Sequence, residues 1–250
     1  MESHGNRKIK IVILAAGKGK RMESDLPKVL APLKGEAMIK HVIREAEKAG
    51  LGKPVSIIGH KGELVRSELG DLCFYVNQDE QLGTGHAVSC ARGECAEAED
   101  IIVLSGDQPL IKAETIRSLV EKHLESGAMI TFTSTEVPDF SDWRAGFAGF
   151  GRVLREGGKM LGIREFKDAS EDERNIKEVN AGCYIFNAAW MWQNLEKIKN
   201  ENAQKEYYLT DLFKIASEHG DKIETVKIDP LEALGANTKD ELAVLERMAA

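Results

Sequence analysis

The first half of the chain alternates continuous apolar runs with segments of helical periodicity. Five apolar runs predict strands over residues 9–16, 55–58, 73–76, 101–104 and 128–132. Between the first two strands, apolar residues at helical spacing predict a helix with Ile39, Val42, Ile43 and Ala46 on its buried face and a stop at Gly50. A second helix is predicted where Ile116, Leu119, Val120 and His123 repeat the same spacing. Strands that alternate with helices predict a mostly parallel sheet with right-handed crossovers.

The pattern changes after about residue 140, where strands follow one another with little helix between them. Strands are predicted over 150–154, 160–166, 179–186 and 223–228, and helices near 188–199 and 207–219. A last helix is predicted to begin near Thr238, because Thr238-Lys239-Asp240-Glu241 fits a capping box.

No linker rich in proline or serine separates the two halves, so we predict a single domain over residues 1–250. Its predicted fold class is α/β, with a Rossmann-like, mostly parallel sheet flanked by helices and a mixed second half that faces the substrate. Ligands of such sheets bind beyond the carboxyl ends of the strands.

Composition and charge narrow the function. Lys and Arg number 34 and Asp and Glu number 41, for a net charge of −7, which argues against a nucleic-acid surface. An anionic ligand would therefore need a local cationic site. The four cysteines form no C-x-x-C pair, which predicts small buried side chains and no zinc ribbon. No apolar run reaches the roughly 18 residues that span a bilayer, and we expect a cytoplasmic protein.

A glycine-rich segment directly follows the first predicted strand. It reads Leu14-Ala15-Ala16-Gly17-Lys18-Gly19-Lys20-Arg21-Met22. The two glycines allow backbone N–H groups to approach an anion, and the three cations add positive charge. The third glycine of the dinucleotide fingerprint would fall at position 22, and no G-K-[ST] of a Walker A loop occurs. The segment predicts a phosphate-binding loop, and the alternative is a simple strand-to-helix turn.

Two further segments carry candidate phosphate and base contacts. Pro27 restricts the backbone just before Lys28, so this lysine could reach a second phosphate, although most lysines are merely exposed. In the segment 78–87, Gln78 and Gln81 offer paired donors and acceptors that suit a nucleobase edge. The alternative there is a polar turn with Thr84 as a helix N-cap.

A carboxylate stands at the end of the fourth predicted strand, in Ser105-Gly106-Asp107-Gln108-Pro109. The carboxyl end of a strand is well placed to hold a Mg²⁺ ion through Asp107. The alternative is an Asx-turn that leads into Pro109.

Read together, these segments resemble the sugar-phosphate nucleotidyltransferases, and within them the N-terminal uridylyltransferase domain of the bifunctional GlmU enzymes. The resemblance runs from Ile9 to about Leu245. It rests on five ordered motifs: L-A-A-G-K-G-x-R-M, S-D-L-P-K-V-L, E-Q-L-G-T-G-H-A, G-D-x-P-L-I and N-A-Q-x-E-Y-Y-x-T-D. It implies a nucleotide-diphospho-sugar transferase fold. It also implies a Mg²⁺-dependent reaction of UTP with a sugar 1-phosphate that yields UDP-N-acetylglucosamine and pyrophosphate.

The resemblance also implies a role for each matching residue. Catalysis is assigned to Arg21, Lys28 and Asp107. The nucleotide site comprises Leu14, Ala15, Ala16, Gly17, Lys18, Gly19, Lys28, Gln78, Gln81, Gly83 and Thr84. The sugar site comprises Gly151, Glu165, Asn180, Tyr208 and Thr210, and Mg²⁺ is assigned to Asp107 and Asn237. Two alternatives remain open, because Asn237 could cap the last helix and Glu165 could be a solvated charge.

The chain departs from the family pattern at four places. Lys20 stands where the family usually has Thr, Ser105 replaces an aromatic residue, Ala181 replaces a Thr, and residues 141–145 look like an insertion. No hexapeptide-repeat β-helix follows, so neither an acetyltransferase domain nor the trimer it builds is implied. We expect a monomer or small homo-oligomer that binds neither nucleic acid nor membrane.

Two other classes fit the sequence less well. A dinucleotide-dependent dehydrogenase needs an acidic residue at the end of the second strand, where this chain has Ile57-Ile58-Gly59-His60. A non-catalytic nucleotide sensor would keep the glycine loop but would need neither metal ligand. Another nucleotide or another sugar 1-phosphate remains open within the enzyme class.

Overall fold

The computed structural model describes residues 7–19, 22 and 25–249. Its strands are β1 (Ile9–Ala15), β2 (Pro32–Leu33), β3 (Glu36–Ala37), β4 (Val55–Ile58), β5 (Phe74–Asn77), β6 (Asp100–Ser105), β7 (Ile130–Glu136), β8 (Arg152–Glu156), β9 (Lys159–Arg164), β10 (Glu178–Asn187) and β11 (Ile223–Lys227). Its α-helices are α1 (Met38–Lys48), α2 (Gly62–Leu69), α3 (Thr84–Cys90), α4 (Ala113–Ser126), α5 (Glu171–Arg174), α6 (Ala188–Leu195), α7 (Asp211–His219) and α8 (Lys239–Met248).

In the described part of the chain, one sheet of nine strands carries the fold. Its main path runs β11-β7-β10-β6-β1-β4-β5, and the β8–β9 hairpin joins it through β10. Pairing is parallel along this path except at β10, which runs antiparallel to both β6 and β7. The predicted α/β class with a mostly parallel sheet and a mixed second half is confirmed. Because β10 is reversed, its amino end lies at the sheet edge where the parallel strands have their carboxyl ends.

Both faces of β1 are buried, as its continuous apolar run predicts. Ile11 and Ile13 pack on one face with the apolar residues of α1 and α4. Val12 points to the other face, where α3, α6 and α7 supply the neighbours. Each such aliphatic side chain contributes about 1.5–3 kcal/mol when fully buried. The strand that leads into the glycine loop is therefore anchored on two sides.

Strand positions agree with the sequence predictions to within a few residues, whereas one helix begins later than predicted. Helix α7 starts at Asp211 and not near 207, because the preceding backbone bonds to the 82–84 loop. Tyr207 N donates to the carbonyl of Leu82 (2.7 Å), and Leu209 N donates to Thr84 Oγ1 (3.0 Å). These long-range contacts hold residues 207–210 outside the helix.

The predicted start of the last helix is confirmed, but its capping box is shifted. Thr238 Oγ1 accepts from Glu241 N (3.1 Å), as a capping residue should. The Glu241 carboxylate, however, accepts from Asn237 N (2.6 Å) and not from Thr238 N. Helix α2 was missed by the sequence reading, because it buries only Val65 and Leu69 and so has a weak apolar period.

All four cysteines are free, and the prediction that they are buried is confirmed for Cys73, Cys95 and Cys183, whereas Cys90 is only half-buried. Within residues 7–19, 22 and 25–249, no helix has the length and apolar character needed to cross a membrane.

Candidate active site

A cleft of about 710 Å³ opens where the loops after β1, β5 and β6 meet. Its walls contain every predicted nucleotide-binding residue and both predicted metal ligands. They are Leu14, Ala15, Ala16, Gly17, Lys18, Gly19, Lys28, Gln78, Gln81, Gly83, Thr84, Asp107 and Asn237. Arg21, the remaining predicted catalytic residue, lies outside the described residues. The roles of these residues stay predictions, but their proximity is a property of the fold.

The glycine loop packs against the backbone that carries Lys28. Gly19 has φ +56°, a conformation that favours glycine, and a Cβ there would lie 2.9 Å from Lys28 Cβ. Gly17 differs, because a Cβ at this position would meet nothing within 4 Å. Pro27, with φ −49°, leads directly into the short 3-10 helix Lys28–Leu30. The glycine loop and Pro27 together fix the position of the Lys28 backbone, from which the side chain extends.

The Lys28 ammonium lies between the two predicted metal ligands. Its Nζ donates to Asp107 Oδ2 (2.5 Å) and to Asn237 Oδ1 (2.8 Å). The Lys28 and Asp107 side chains are only 18% and 17% exposed. The backbone links the same segments, since Ala236 N donates to the carbonyl of Asp107 (3.2 Å). Residues far apart in the chain thus converge on one cationic group.

The donor set of this cluster fits Mg²⁺. One carboxylate and one amide oxygen are hard ligands of the type that Mg²⁺ takes in small number, with water and phosphate oxygens completing the shell. Among the described residues no group of three or more His, Cys, Asp or Glu could hold a metal. Water and phosphate oxygens would therefore have to supply the remaining ligands of the ion. The alternative that Asn237 caps α8 is wrong, because the cap is Thr238.

Gln78 and Gln81 line the part of the cleft that follows β5. Gln78 is only 3% exposed, and its Nε2 donates to the carbonyl of Gly83 (3.1 Å). Gln81 Nε2 donates to the carbonyl of Gln78 (3.0 Å). The alternative of Thr84 as a helix cap is wrong, because the cap position is Gly83 and Thr84 Oγ1 accepts from Leu209 N.

Gly83 holds this part of the cleft against the 206–207 segment. It has φ +113°, and a Cβ there would lie 2.6 Å from the carbonyl oxygen of Tyr207. Gly85 N donates to that same oxygen (2.8 Å). A larger residue at position 83 would push the two segments apart.

The five predicted sugar-binding residues are not among those that line the cleft, and a hydrogen bond from the lining residue Gln204 to Tyr208 joins their group to it. Asn180 N donates to the carbonyl of Gly151 (2.9 Å), and a Cβ on Gly151 would lie 3.6 Å from Glu165 Oε1. Thr210 Oγ1 donates to Glu165 Oε1 (2.7 Å). Tyr208 completes the group two residues before Thr210. We call Gly151, Glu165, Asn180, Tyr208 and Thr210 the lateral cluster.

Glu165 is not a fully solvated charge, which removes the alternative noted from the sequence. Burial raises its pKa, and the negative charges of Asp211, Asp168 and Glu206 raise it further, whereas the hydrogen bond from Thr210 lowers it. A carboxyl group in this setting can accept or donate a hydrogen bond to a neutral ligand such as a sugar hydroxyl.

Three charged or amide-bearing residues of the cleft were missed by the sequence analysis: Lys167, Gln204 and Glu206. Lys167 Nζ donates to Gln204 Oε1 (2.6 Å), and Gln204 Nε2 donates to the hydroxyl of Tyr208 (3.0 Å). These bonds connect the cleft to the lateral cluster. Gln204 and Glu206 stand inside the motif N-A-Q-x-E-Y-Y, which is a signal that could have identified them.

The fold and the cleft are those of an α/β enzyme that acts on a nucleotide: they combine a glycine loop after the first strand, a lysine–carboxylate–amide cluster and two glutamine side chains in the cleft wall. The family model described as "MobA-like NTP transferase domain" matches residues 11–178, and the chain belongs to this family. The nucleotidyltransferase class expected from the motifs is therefore confirmed.

Known proteins agree with this assignment. Over 241 residues the chain is 43% identical to "Bifunctional protein GlmU" of Desulfitobacterium hafniense (strain DSM 10664 / DCB-2), covering 95% of this chain and 51% of that protein. The chain thus spans about half the length of the curated relatives it matches.

Two solved structures share the fold. One is a putative glucose-1-phosphate thymidylyltransferase from Bacillus anthracis in complex with a sucrose (TM-score 0.75, 19% identity, 96% of this chain and 95% of that chain). The other is a UDP-glucose pyrophosphorylase complexed with UDP-glucose (TM-score 0.75, 15% identity, 97% and 98%). At these identities the likeness concerns the fold alone.

Proposed function

We propose that the chain is a Mg²⁺-dependent uridylyltransferase that joins UTP to a sugar 1-phosphate, with N-acetylglucosamine 1-phosphate as the acceptor. The observation that carries this proposal is the cluster in which Asp107 and Asn237 converge on Lys28 inside the cleft. The similarity to proteins named GlmU and the ordered motifs support the choice of nucleotide and sugar.

In the proposed reaction, a phosphate oxygen of the sugar 1-phosphate attacks the α-phosphorus of UTP. The bond from that phosphorus to the bridging oxygen of the β-phosphate breaks, and pyrophosphate leaves. The attacking oxygen is already anionic, so the reaction needs no general base. The main difficulty is to bring two anions together, and catalysis then rests on positioning and electrostatic stabilisation.

The residues of the cleft meet this requirement in separate ways. Gly17 and Gly19 let the loop backbone approach the triphosphate, and Lys28 supplies a positioned positive charge. Asp107 and Asn237 would hold the Mg²⁺ ion, whose charge reduces the repulsion between the two phosphates when it is bound. Arg21 is proposed to contact the phosphates as well.

The lateral cluster would bind the sugar. Asn180, Glu165 and Thr210 offer amide, carboxyl and hydroxyl groups to sugar hydroxyls, and Tyr208 lies toward the proposed N-acetyl end. Burial first, and the nearby Asp168 in addition, raise the pKa of Tyr208 to about 12, so its hydroxyl keeps its proton at neutral pH. Ser105, which lines the cleft where the family often has an aromatic residue, would leave more space for the sugar.

The test is a pyrophosphate-release screen of five NTPs against a panel of sugar 1-phosphates with Mg²⁺. We expect UTP with N-acetylglucosamine 1-phosphate to give the highest kcat/KM and chelation of the metal to abolish turnover. A higher value for another NTP or sugar would replace the substrate assignment. Absence of pyrophosphate with every pair would refute the proposed activity.

A further inference from the structure

The side-chain amide of Gln78 is held by two contacts on its nitrogen. Its Nε2 lies 3.1 Å from the carbonyl oxygen of Gly83 and 3.0 Å from Nδ1 of His86. His86 sits on α3, one turn after the loop that lines the cleft. The sequence analysis assigned no role to this histidine.

The chemistry of these partners determines the orientation of the amide. The carbonyl of Gly83 can only accept, so the NH₂ group of Gln78 must face it and the oxygen cannot. An amide nitrogen has two hydrogens, and the second one points at His86 Nδ1. That ring nitrogen must therefore accept, which places the hydrogen of the neutral imidazole on Nε2.

The amide oxygen of Gln78 is then the atom left for a ligand. Within the described residues Oε1 has no hydrogen-bond partner. It is also not among the unpaired polar atoms that are completely buried, so a ligand can reach it. Gln78 lines the cleft although its side chain is 3% exposed. Oε1 is thus the polar atom of this cleft-lining side chain that remains free to accept a hydrogen bond from a bound base.

We infer that His86 is a positioning residue that, together with the carbonyl of Gly83, holds Gln78 so that it presents an acceptor, not a donor, to the nucleobase. This inference rests on the proposed function, since it concerns the base of the NTP. The N3–H of uracil or thymine pairs with such an acceptor, whereas N3 of cytosine is itself an acceptor and would face Oε1 unpaired. Turning the amide over to suit cytosine would set Oε1 against the carbonyl oxygen of Gly83, and it would keep the bond to His86 only if the ring hydrogen moved to Nδ1.

Two substitutions of His86 distinguish the effect of the acceptor atom from that of the imidazole ring. His86→Asn keeps an acceptor, because the Asn oxygen can take the place of Nδ1, and His86→Leu removes it. We expect His86→Leu to lower the ratio of kcat/KM for UTP over CTP by about tenfold, as the loss of one buried hydrogen bond typically does. We expect His86→Asn to restore most of the ratio. The matched control is His219→Asn at the exposed end of α7, which should leave the ratio unchanged.

A spectroscopic measurement tests the geometry without turnover. ¹⁵N chemical shifts of the ring should show His86 as the Nε2–H tautomer, with assignment from the spectrum of His86→Asn. A hydrogen on Nδ1, an unchanged ratio in folded His86→Leu, or equal losses in the Leu and Asn variants would overturn the inference. If the wild-type protein releases no pyrophosphate with any substrate pair, the proposed function fails. The same variants are then compared by calorimetric Kd values for UTP and CTP, with the same ordering expected.

Discussion

Removal of the Lys28 charge should have opposite effects on metal binding and on turnover. The ammonium lies between the two oxygens that would hold the cation, at 2.5 Å from Asp107 Oδ2 and 2.8 Å from Asn237 Oδ1. A divalent ion can bind there only if the ammonium leaves. Lys28→Met keeps the length of the side chain and removes this competitor, so the metal should bind more tightly.

The expected magnitude follows from the burial of the pair. Both side chains are about four-fifths buried, so the contact is a partly desolvated, charge-assisted hydrogen bond worth about 1.5–3 kcal/mol. If the metal no longer has to displace it, the Kd should fall by about 10- to 100-fold. Turnover should nevertheless fall by roughly 100-fold, because one positioned charge is lost from the reacting site.

The assay is titration of the nucleotide-free protein with Mn²⁺, followed by electron paramagnetic resonance or calorimetry, beside steady-state pyrophosphate release. Lys40→Met is the matched control, because Lys40 Nζ also lies 2.5 Å from a carboxylate, that of Glu68, but outside the cleft. Its metal affinity and turnover should equal those of the wild type. Unchanged or weaker metal binding in Lys28→Met would refute the reasoning and with it the assignment of Asp107 and Asn237 as ligands.

Three further variants test the rest of the site. Gly19→Ala should lower stability by about 1–2 kcal/mol in thermal unfolding, because of its positive φ, whereas Gly17→Ala should change it by less than about 0.5 kcal/mol; equal losses would contradict the strain argument. Asn237→Ser should leave stability near normal, since Thr238 remains the cap, and should lose rate that raised Mg²⁺ partly restores; a rate insensitive to Mg²⁺ would count against a ligand role. Burial raises the pKa of Glu165, so the free energy of unfolding should fall as pH rises above about 4.5, and Glu165→Gln should reduce that fall in urea titrations at pH 4 and 7; parallel pH profiles would show that Glu165 ionises as freely when folded.

Structural features that depend on residues close together in sequence could be predicted from the sequence. The strand before the glycine loop, the order of the main-sheet strands and the start of α8 at Thr238 follow from apolar period and capping chemistry, whereas α2 does not. The predicted nucleotide-binding residues also lie in one cleft, because the carboxyl ends of parallel strands meet at one edge of a sheet.

The tertiary structure decided what depends on contacts between distant segments. Asn237 meets Lys28 across 209 positions of sequence, and long-range contacts such as the backbone bond from Ala236 to Asp107 hold it there. Local sequence patterns do not predict such contacts, because the distance in space between two residues does not follow from the residues that separate them in the chain. The late start of α7 has the same cause, since its preceding residues bond to the 82–84 loop.

The orientation of the Gln78 amide shows most clearly where prediction from the sequence ends. The sequence by itself determined that a glutamine with both donor and acceptor atoms follows β5 in a loop suited to a base. Which of those atoms faces the cleft depends on a carbonyl and a ring nitrogen that only the folded helix α3 and its preceding loop bring into place. The residue types were thus set by the chain, and the direction of their hydrogen bonds was set by packing, because hydrogen bonds require donor and acceptor atoms within about 3 Å in space.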